Sequence, residues 1–360
     1  MKQTKILETD VRLIIQASNI SQGGGKSLLI ALLNGLPSNV KVLALLDSRM
    51  QLPEVIPENL TIIVIQPTII QRFRAQWWLF LNVKNADLIL CFGNLPPLFK
   101  LKGKVSIFVQ NRYLIEKNSL VGFSIKTKLR LIFERSRLRL SALNADEFIV
   151  QTPSMKSDLL SSGFIGKQPV YIRPFVSLSH EYQRAMSFKE FRKVVKKFDF
   201  IYVASGEPHK NHSNLIKAWC LLADQKIFPS LCLTLDIIAF ADLCAQIDEK
   251  KLIYKLDVKN LGILPHKKIE TLYSQSRALI FPSKFESFGL PLIEARLAGL
   301  PILASELDYV RDVLDPEQTF DPNSPFSITR AVKRFMGIEE KALPLLTASQ
   351  FLDSIFKKEL

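Results

Sequence analysis

Hydrophobic positions along this chain fall into short continuous runs, separated by longer stretches in which apolar residues recur every three or four places. In the first half the runs are residues 11–17, 40–46, 60–65, 87–91, 105–109, 147–151 and 170–172. Several are apolar on both faces, as parallel strands are when helices cover them on either side. Between them, residues 26–34, 69–83, 124–143 and 154–161 carry helical spacing. The second half repeats the alternation. Its predicted strands are 200–204, 231–238, 261–264, 278–281 and 301–304, and its predicted helices are 212–223, 267–275, 290–298 and 327–336. Strand–helix alternation of this kind predicts an α/β protein built on doubly wound parallel sheets.

A chain of 360 residues is longer than one hydrophobic core usually serves. The expectation is two Rossmann-like domains, 1–180 and 181–345, with residues 346–360 as a C-terminal helix returning to the first. Residues 173–197, which begin Arg173-Pro174 and turn polar and basic without a strand signal, read as the linker. The composition, 48% hydrophobic and 23% charged, excludes a disordered chain.

Charge separates the two halves. Residues 1–180 hold 23 Lys and Arg against 11 Asp and Glu, while residues 181–360 hold 25 against 23. Within the basic half, residues 100–141 carry 11 cations and only Glu116 and Glu134 as acids, a surface that attracts phosphates or an anionic membrane. On a helical wheel of residues 124–143, Ile125, Leu129, Ile132, Phe133, Leu140 and Leu143 form one stripe with cations on both sides. Such a helix fits a membrane surface or an ordinary core face with solvated edges. Cys91, Cys220, Cys232 and Cys244 lie in or beside apolar runs with no C-x-x-C, and read as buried thiols in a reducing compartment. Acids interrupt the N-terminal stretch and no run reaches eighteen apolar residues. The expected location is the cytoplasm, with peripheral contact at the inner face of the plasma membrane.

Gly23-Gly24-Gly25-Lys26-Ser27 follows the first predicted strand. A P-loop needs a glycine where Ile20 stands, and a dinucleotide fingerprint needs one where Leu28 stands, so neither motif is present. What remains is a glycine-rich turn opening a helix, in which Gly24 and Gly25 bring backbone N–H groups to a phosphate or sugar hydroxyl, or merely make a tight turn. The denser signal is Glu286-Ser-Phe288-Gly289-Leu290-Pro291-Leu-Ile-Glu294-Ala295. Gly289 permits a sharp turn and Pro291 suits the first helical turn, so a helix begins between the two glutamates. The N–H groups around its mouth suit a diphosphate, with a carboxylate on either side to accept sugar hydroxyls.

This block, followed by Ala298-Gly-Leu-Pro301, resembles the GT4 family of retaining glycosyltransferases, which have the GT-B fold of two Rossmann-like domains facing across a cleft. The resemblance spans nearly the whole chain and is specific mainly in residues 200–315. It implies that Glu294 holds the ribose hydroxyls, that Glu286 contacts the transferred sugar, and that the amides of Phe288, Gly289 and Leu290 meet sugar and diphosphate. Ser205-Gly206-Glu-Pro-His-Lys210 resembles the loop that carries an Arg and a Lys to the donor diphosphate. Lys210 falls on the lysine and Ser205 on the arginine, with Gly206 beside it and Lys26 a possible substitute for the missing charge. Where family members often carry a histidine that lines the sugar site, this chain reads Gln110-Asn111-Arg112, which bond sugar or phosphate but cannot serve as a base near neutral pH.

His209 and His212 form an H-x-x-H pair without a third ligand, and there is no Asp-x-Asp triplet, so the expected chemistry is independent of metal and of any cofactor. No nucleic-acid-binding motif accompanies the positive charge. The resulting expectation is a hexosyltransferase taking a sugar from a nucleotide-sugar donor to a glycan or polyprenyl-diphosphate-linked acceptor, in O-antigen, lipopolysaccharide or capsule-like surface polysaccharide synthesis. The alternatives are a catalytically weak nucleotide-sugar-binding subunit and a GT-B sugar-nucleotide epimerase.

Overall fold

The computed structural model describes residues 11–50, 52, 56–116, 120, 123–176, 195–338 and 347–348. The first domain runs β1 (Arg12–Ala17), α1 (Gly23–Asn34), β2 (Lys41–Asp47), β3 (Leu60–Ile65), α2 (Ile69–Asn82), β4 (Leu88–Cys91), β5 (Lys104–Phe108), α3 (Ile125–Ser141), β6 (Glu147–Val150), α4 (Pro153–Ser161) and β7 (Val170–Ile172). Its seven strands are parallel in the order β3-β2-β1-β4-β5-β6-β7. In β1, Ile14 joins one core and Ile15 the other, on opposite faces of the sheet. Period-two side chains buried on both faces make such a strand read as a continuous apolar run.

The second domain runs β8 (Phe198–Tyr202), α5 (His212–Asp224), β9 (Leu231–Leu233), α6 (Ala241–Tyr254), β10 (Val258–Asn260), α7 (His266–Ser274), β11 (Ser276–Phe281), α8 (Leu290–Leu297), β12 (Ile302–Ser305), α9 (Asp308–Arg311), β13 (Gln318–Phe320) and α10 (Pro325–Phe335). Its six parallel strands are ordered β10-β9-β8-β11-β12-β13. The two doubly wound parallel sheets are those read from the sequence. Most of the predicted linker, at 177–194, and most of the predicted C-terminal helix at 346–360 lie outside the described residues.

Local chemistry accounts for the differences. The strand expected at 231–238 stops at Leu233, because Asp236 accepts the N–H groups of Ile238 and Ala239 and turns the chain into α6. The strand expected at 261–264 lies earlier, at Val258–Asn260, where Asn260 then bonds Leu235 and Gly262. Helix α6 and strand β13 carry weak periodicity and were not predicted.

In each sheet the chain order reverses beside the first strand, between β1 and β4 and between β8 and β11. Ligands of open α/β sheets bind in the crevice beyond the strand ends at such a reversal. The loops that leave β8 and β11 there are fastened together by Asn211. Its backbone sits in the left-handed region at φ 64°, and its buried amide donates to the carbonyls of Pro282 (3.0 Å) and Pro322 (2.7 Å). Asparagine tolerates that conformation better than other residues with a Cβ. We predict that Asn211→Ala lowers stability by about 2–4 kcal/mol, through the stranded Pro282 carbonyl and the less tolerant backbone. Urea unfolding measures this, and a loss below about 0.5 kcal/mol, within the range of ordinary surface changes, would show that the clamp is dispensable.

Candidate active site

Strand β11 delivers the chain to Phe281, and the next eight residues form the site's floor. Ser283 is fully buried, its hydroxyl donating to the carbonyls of His209 (3.2 Å) and Phe285 (3.4 Å). Its own carbonyl accepts from the buried Tyr309 hydroxyl at 2.7 Å, and Lys284 N–H donates to the His209 carbonyl at 2.8 Å. The loop carrying Lys210 is thus bonded along its length to the loop carrying Glu286. Tyr202 completes the frame from below, donating its hydroxyl to the Lys210 carbonyl at 2.7 Å.

That frame brings Lys210 and Glu286 together. Lys210 Nζ lies 2.6 Å from Glu286 Oε1, and both side chains are largely shielded from solvent. Three residues on, Gly289 turns the chain at φ +73° and caps α8, and a Cβ there would lie 2.9 Å from the Leu292 side chain. Positive φ and lack of space both require glycine at the mouth. The N–H groups of Phe288, Gly289 and Leu290 precede the helix's own hydrogen bonding, and among the described residues no acceptor is bonded to them. One turn into α8, Glu294 accepts from the Tyr273 hydroxyl at 3.2 Å and faces His266 Nδ1 at 3.9 Å. Burial raises the Glu294 carboxyl above the ordinary glutamate value, against the lowering influence of His266 and Tyr273.

The first domain closes over this mouth. The Leu290 side chain packs on the first domain's core, and a Cβ at Gly24 would lie 3.2 Å from it. Gly25 has the Gln110 side-chain oxygen beside it, at 3.4 Å from where a Cβ would stand. Gln110 Nε2 donates to the Phe92 carbonyl, and Asn94 Oδ1 accepts the N–H groups of Gln110 (2.6 Å) and Asn111 (2.9 Å). The Asn111 side chain caps the short 3-10 turn Arg112–Leu114. Arg112 is the main bridge between domains. Its N–H donates to Ser287 Oγ at 2.9 Å, its guanidinium lies over the Phe285 ring at 5.0 Å, and Asp158 (2.7 Å) and Glu116 (3.0 Å) hold it in place. A second bridge runs from the Ser154 N–H to Asp312.

The remaining predicted residues have local roles. Ser205 is exposed, with its hydroxyl bonded to the Glu207 carboxylate, and Gly206 lies where a Cβ would collide with the Phe240 ring. Lys26 lies in the first turn of α1, beside the glycines. Burial, reinforced by the Lys210 cation, pushes His209 down to about 4 and His212 to about 3, so both imidazoles are neutral at pH 7. His209 packs between Tyr113 and Phe123, and His212 on Tyr202. Among the described residues no cluster of three metal-ligating side chains occurs. Sequence reasoning missed Asn94, Asn211, Tyr273 and Tyr309, and it placed Ser287 in the pre-helix loop without its hydroxyl's bond to Arg112. Asn94 and Asn211 did carry a signal, since asparagine beside glycine or in a polar loop tolerates positive φ, and both adopt it.

Comparison with known proteins places this geometry. The description "Glycosyl transferases group 1" matches residues 183–345. The chain is 29% identical over 131 residues to O-antigen chain mannosyltransferase B of Escherichia coli, covering 36% of this chain and 34% of that protein. It is 28% identical over 157 residues to the serotype-specific mannosyltransferase WbdA of Escherichia coli, covering 39% of this chain and 18% of that one. The matched stretch thus spans about a third or less of these curated relatives. Among solved structures, Anabaena Alr3699/HepE in complex with UDP superposes with a TM-score of 0.65 at 16% identity, over 91% of this chain and 90% of that one. A UDP-forming α,α-trehalose-phosphate synthase from Burkholderia vietnamiensis gives 0.63 at 11% identity, over 91% and 92%. Residues 183–345 thus match the glycosyl transferases group 1 family, and the two facing sheets are the halves of a GT-B fold.

Proposed function

We propose that this protein is a hexosyltransferase that moves a sugar from a nucleotide-sugar donor to a glycan or polyprenyl-diphosphate-linked acceptor in surface polysaccharide synthesis. In this reading it acts with retention of configuration, without a metal, at the cytoplasmic face of the membrane. The observation that carries it is the Lys210–Glu286 ion pair standing at the mouth of α8, with Glu294 one turn inside. A diphosphate docks on the N–H groups of Phe288, Gly289 and Leu290, and Glu294 accepts the ribose hydroxyls. As the glycosidic bond breaks, negative charge grows on the departing nucleoside diphosphate, and Lys210 is placed to stabilise it. Glu286, relieved of its cation, then faces the hydroxyls of the transferred sugar. Lys26, in the turn facing α8, supplies the second cation that Ser205 does not. The mannosyl transfer named for the bacterial relatives makes mannose the first sugar to test.

Three outcomes test the reading. In a thermal-shift panel of UDP-, GDP-, ADP- and dTDP-sugars, one class raises the melting temperature with or without chelator, because a ligand that binds the native state stabilises it. Failure of the whole panel would overturn the proposal. Donor binding without transfer of labelled sugar to a lipid-linked glycan would favour the binding-subunit alternative, and an epimer formed from donor alone the epimerase. Lys210→Ala is expected to lower kcat about 10²–10³-fold, the loss typical of removing one group that stabilises developing charge. A change confined to KM would remove Lys210 from the bond-breaking step.

Glu294 offers a test through pH. Its folded-state pKa lies above the unfolded value near 4.5, so the folded state holds its proton more tightly. That stability is fully present below the unfolded pKa and is lost as pH rises through the folded pKa. We predict that Glu294→Gln raises the melting temperature at pH 7, that the gain shrinks toward pH 4, and that donor affinity falls at the same time. A variant less stable than the parent at pH 7 would show that the carboxylate's partners outweigh its burial.

A further inference from the structure

The apolar stripe of α3 faces solvent. Ile125, Leu129, Phe133 and Leu140 are 76%, 63%, 68% and 85% exposed, whereas the helix sends only Leu131 and Leu138 into the core, beside the small Ser141. A second apolar surface lies alongside. Helix α2 buries Ala75 and Leu79 in the same core but leaves Phe73, Trp77 and Phe80 partly exposed, their rings 6.2, 5.6 and 5.3 Å from that of Phe99. The segment carrying Phe99 runs between the helices. Leu98 N–H donates to Gln76 of α2, and Asn144, just past α3, donates to the carbonyls of Pro97 and Leu98. The exposed stripe of α3 and the aromatic cluster of α2 therefore lie on neighbouring elements joined through residues 96–99.

Its charge has a single sign. Arg74 on α2 and Lys126, Arg130 and Arg139 around the α3 stripe are exposed. Glu134 is the one acid on α2, on the 96–102 segment or on α3 among the described residues. It is half-buried between the helices near Arg130, Arg72 and Arg137, and burial raises its carboxyl above the ordinary value. A second copy of the chain on this surface would bring the same cations face to face. Aromatic and aliphatic side chains edged by cations instead match the apolar boundary and phosphate layer of an anionic bilayer.

We propose that the α2–α3 surface docks the protein on an anionic phospholipid membrane, with Leu129, Phe133, Trp77 and Phe80 entering the headgroup boundary and Lys126 and Arg130 meeting lipid phosphates. Arg72, near the start of α2, pairs with Asp47 at the cleft-facing end of β2, so the docked helices hold the cleft's rim close to the bilayer. The proposal deepens the acceptor half of the proposed function and rests on that reading for a membrane-held acceptor, while the surface itself is argued from α2 and α3 alone.

The test is flotation of the full chain with vesicles of phosphatidylglycerol and phosphatidylcholine, compared with phosphatidylcholine alone. Binding only to the anionic vesicles, weakened by salt and accompanied by a blue shift of tryptophan emission as Trp77 leaves water, is the expected result. The double variant Leu129→Ser, Phe133→Ser is expected to lose at least about tenfold in vesicle affinity. Lys126→Gln and Arg130→Gln, which touch only exposed positions, are expected to lose about fivefold for each charge removed. All variants keep the parent's melting temperature and its shift with donor. Failure of the parent to float, equal binding by parent and variants, or a concentration-dependent dimer that the serine variant dissolves would overturn the proposal. Vesicle binding without any donor shift would sink the transferase reading and leave the docking surface standing.

Discussion

The contact between Lys210 and Glu286 is the constraint around which the second domain's loops are arranged. Each residue comes from a different strand, Lys210 from beyond β8 and Glu286 from beyond β11, and 2.6 Å between them demands that both loops be held in place. A largely desolvated ion pair of this kind is weak evidence of stabilisation, since removing two charges from water offsets much of their attraction. Its geometry is instead imposed by neutral bonds around it: the Ser283 hydroxyl and Lys284 N–H on the His209 carbonyl, the Tyr202 hydroxyl on the Lys210 carbonyl, and Asn211 on Pro282. The pair is positioned by the fold more than the fold is held by the pair. That ordering leaves the cation available to change partners when an anion arrives.

The architecture was legible because parallel strands buried on both faces read as uninterrupted apolar runs, and because helix openings carry their own chemistry. Gly289 and Pro291 announced the mouth of α8 at the observed residue. What was not legible depended on tertiary contacts or on very short elements. Strand β13 has three residues and lies at a sheet edge, where pairing with one neighbour needs little sequence specialisation. Helix α6 mixes charge and apolar residues around its circumference, with Leu252 and Ile253 exposed, so no face stands out. Helix α3 shows the converse problem. Its periodicity was plain, but a wheel does not say which side meets the sheet, and the richer apolar side is the outward one. The roles of Tyr273, Ser287 and Tyr309 became visible only when folding set them against Glu294, Arg112 and Ser283.

Charge acts at two ranges in this molecule, and the two do different work. The surplus of cations in residues 1–180 draws anionic ligands and surfaces toward the protein, but at physiological salt such fields are screened within roughly 8 Å. In the proposed reading they speed encounter and favour a membrane without stabilising a leaving group. At the mouth of α8 the acids outnumber the cation, yet each has a polar partner: Lys210 for Glu286, and the Tyr273 hydroxyl with the His266 ring for Glu294. A diphosphate entering there meets helix N–H groups and one lysine whose charge is already shared. For the lysine to serve the diphosphate, Glu286 needs a substitute donor, and sugar hydroxyls are the group in a nucleotide sugar that can provide it. A bare nucleoside diphosphate lacks those hydroxyls and leaves Glu286 competing for Lys210. In the proposed reaction the pairing would therefore favour the intact donor over the spent product, through one shared proton-rich nitrogen rather than through any additional binding surface.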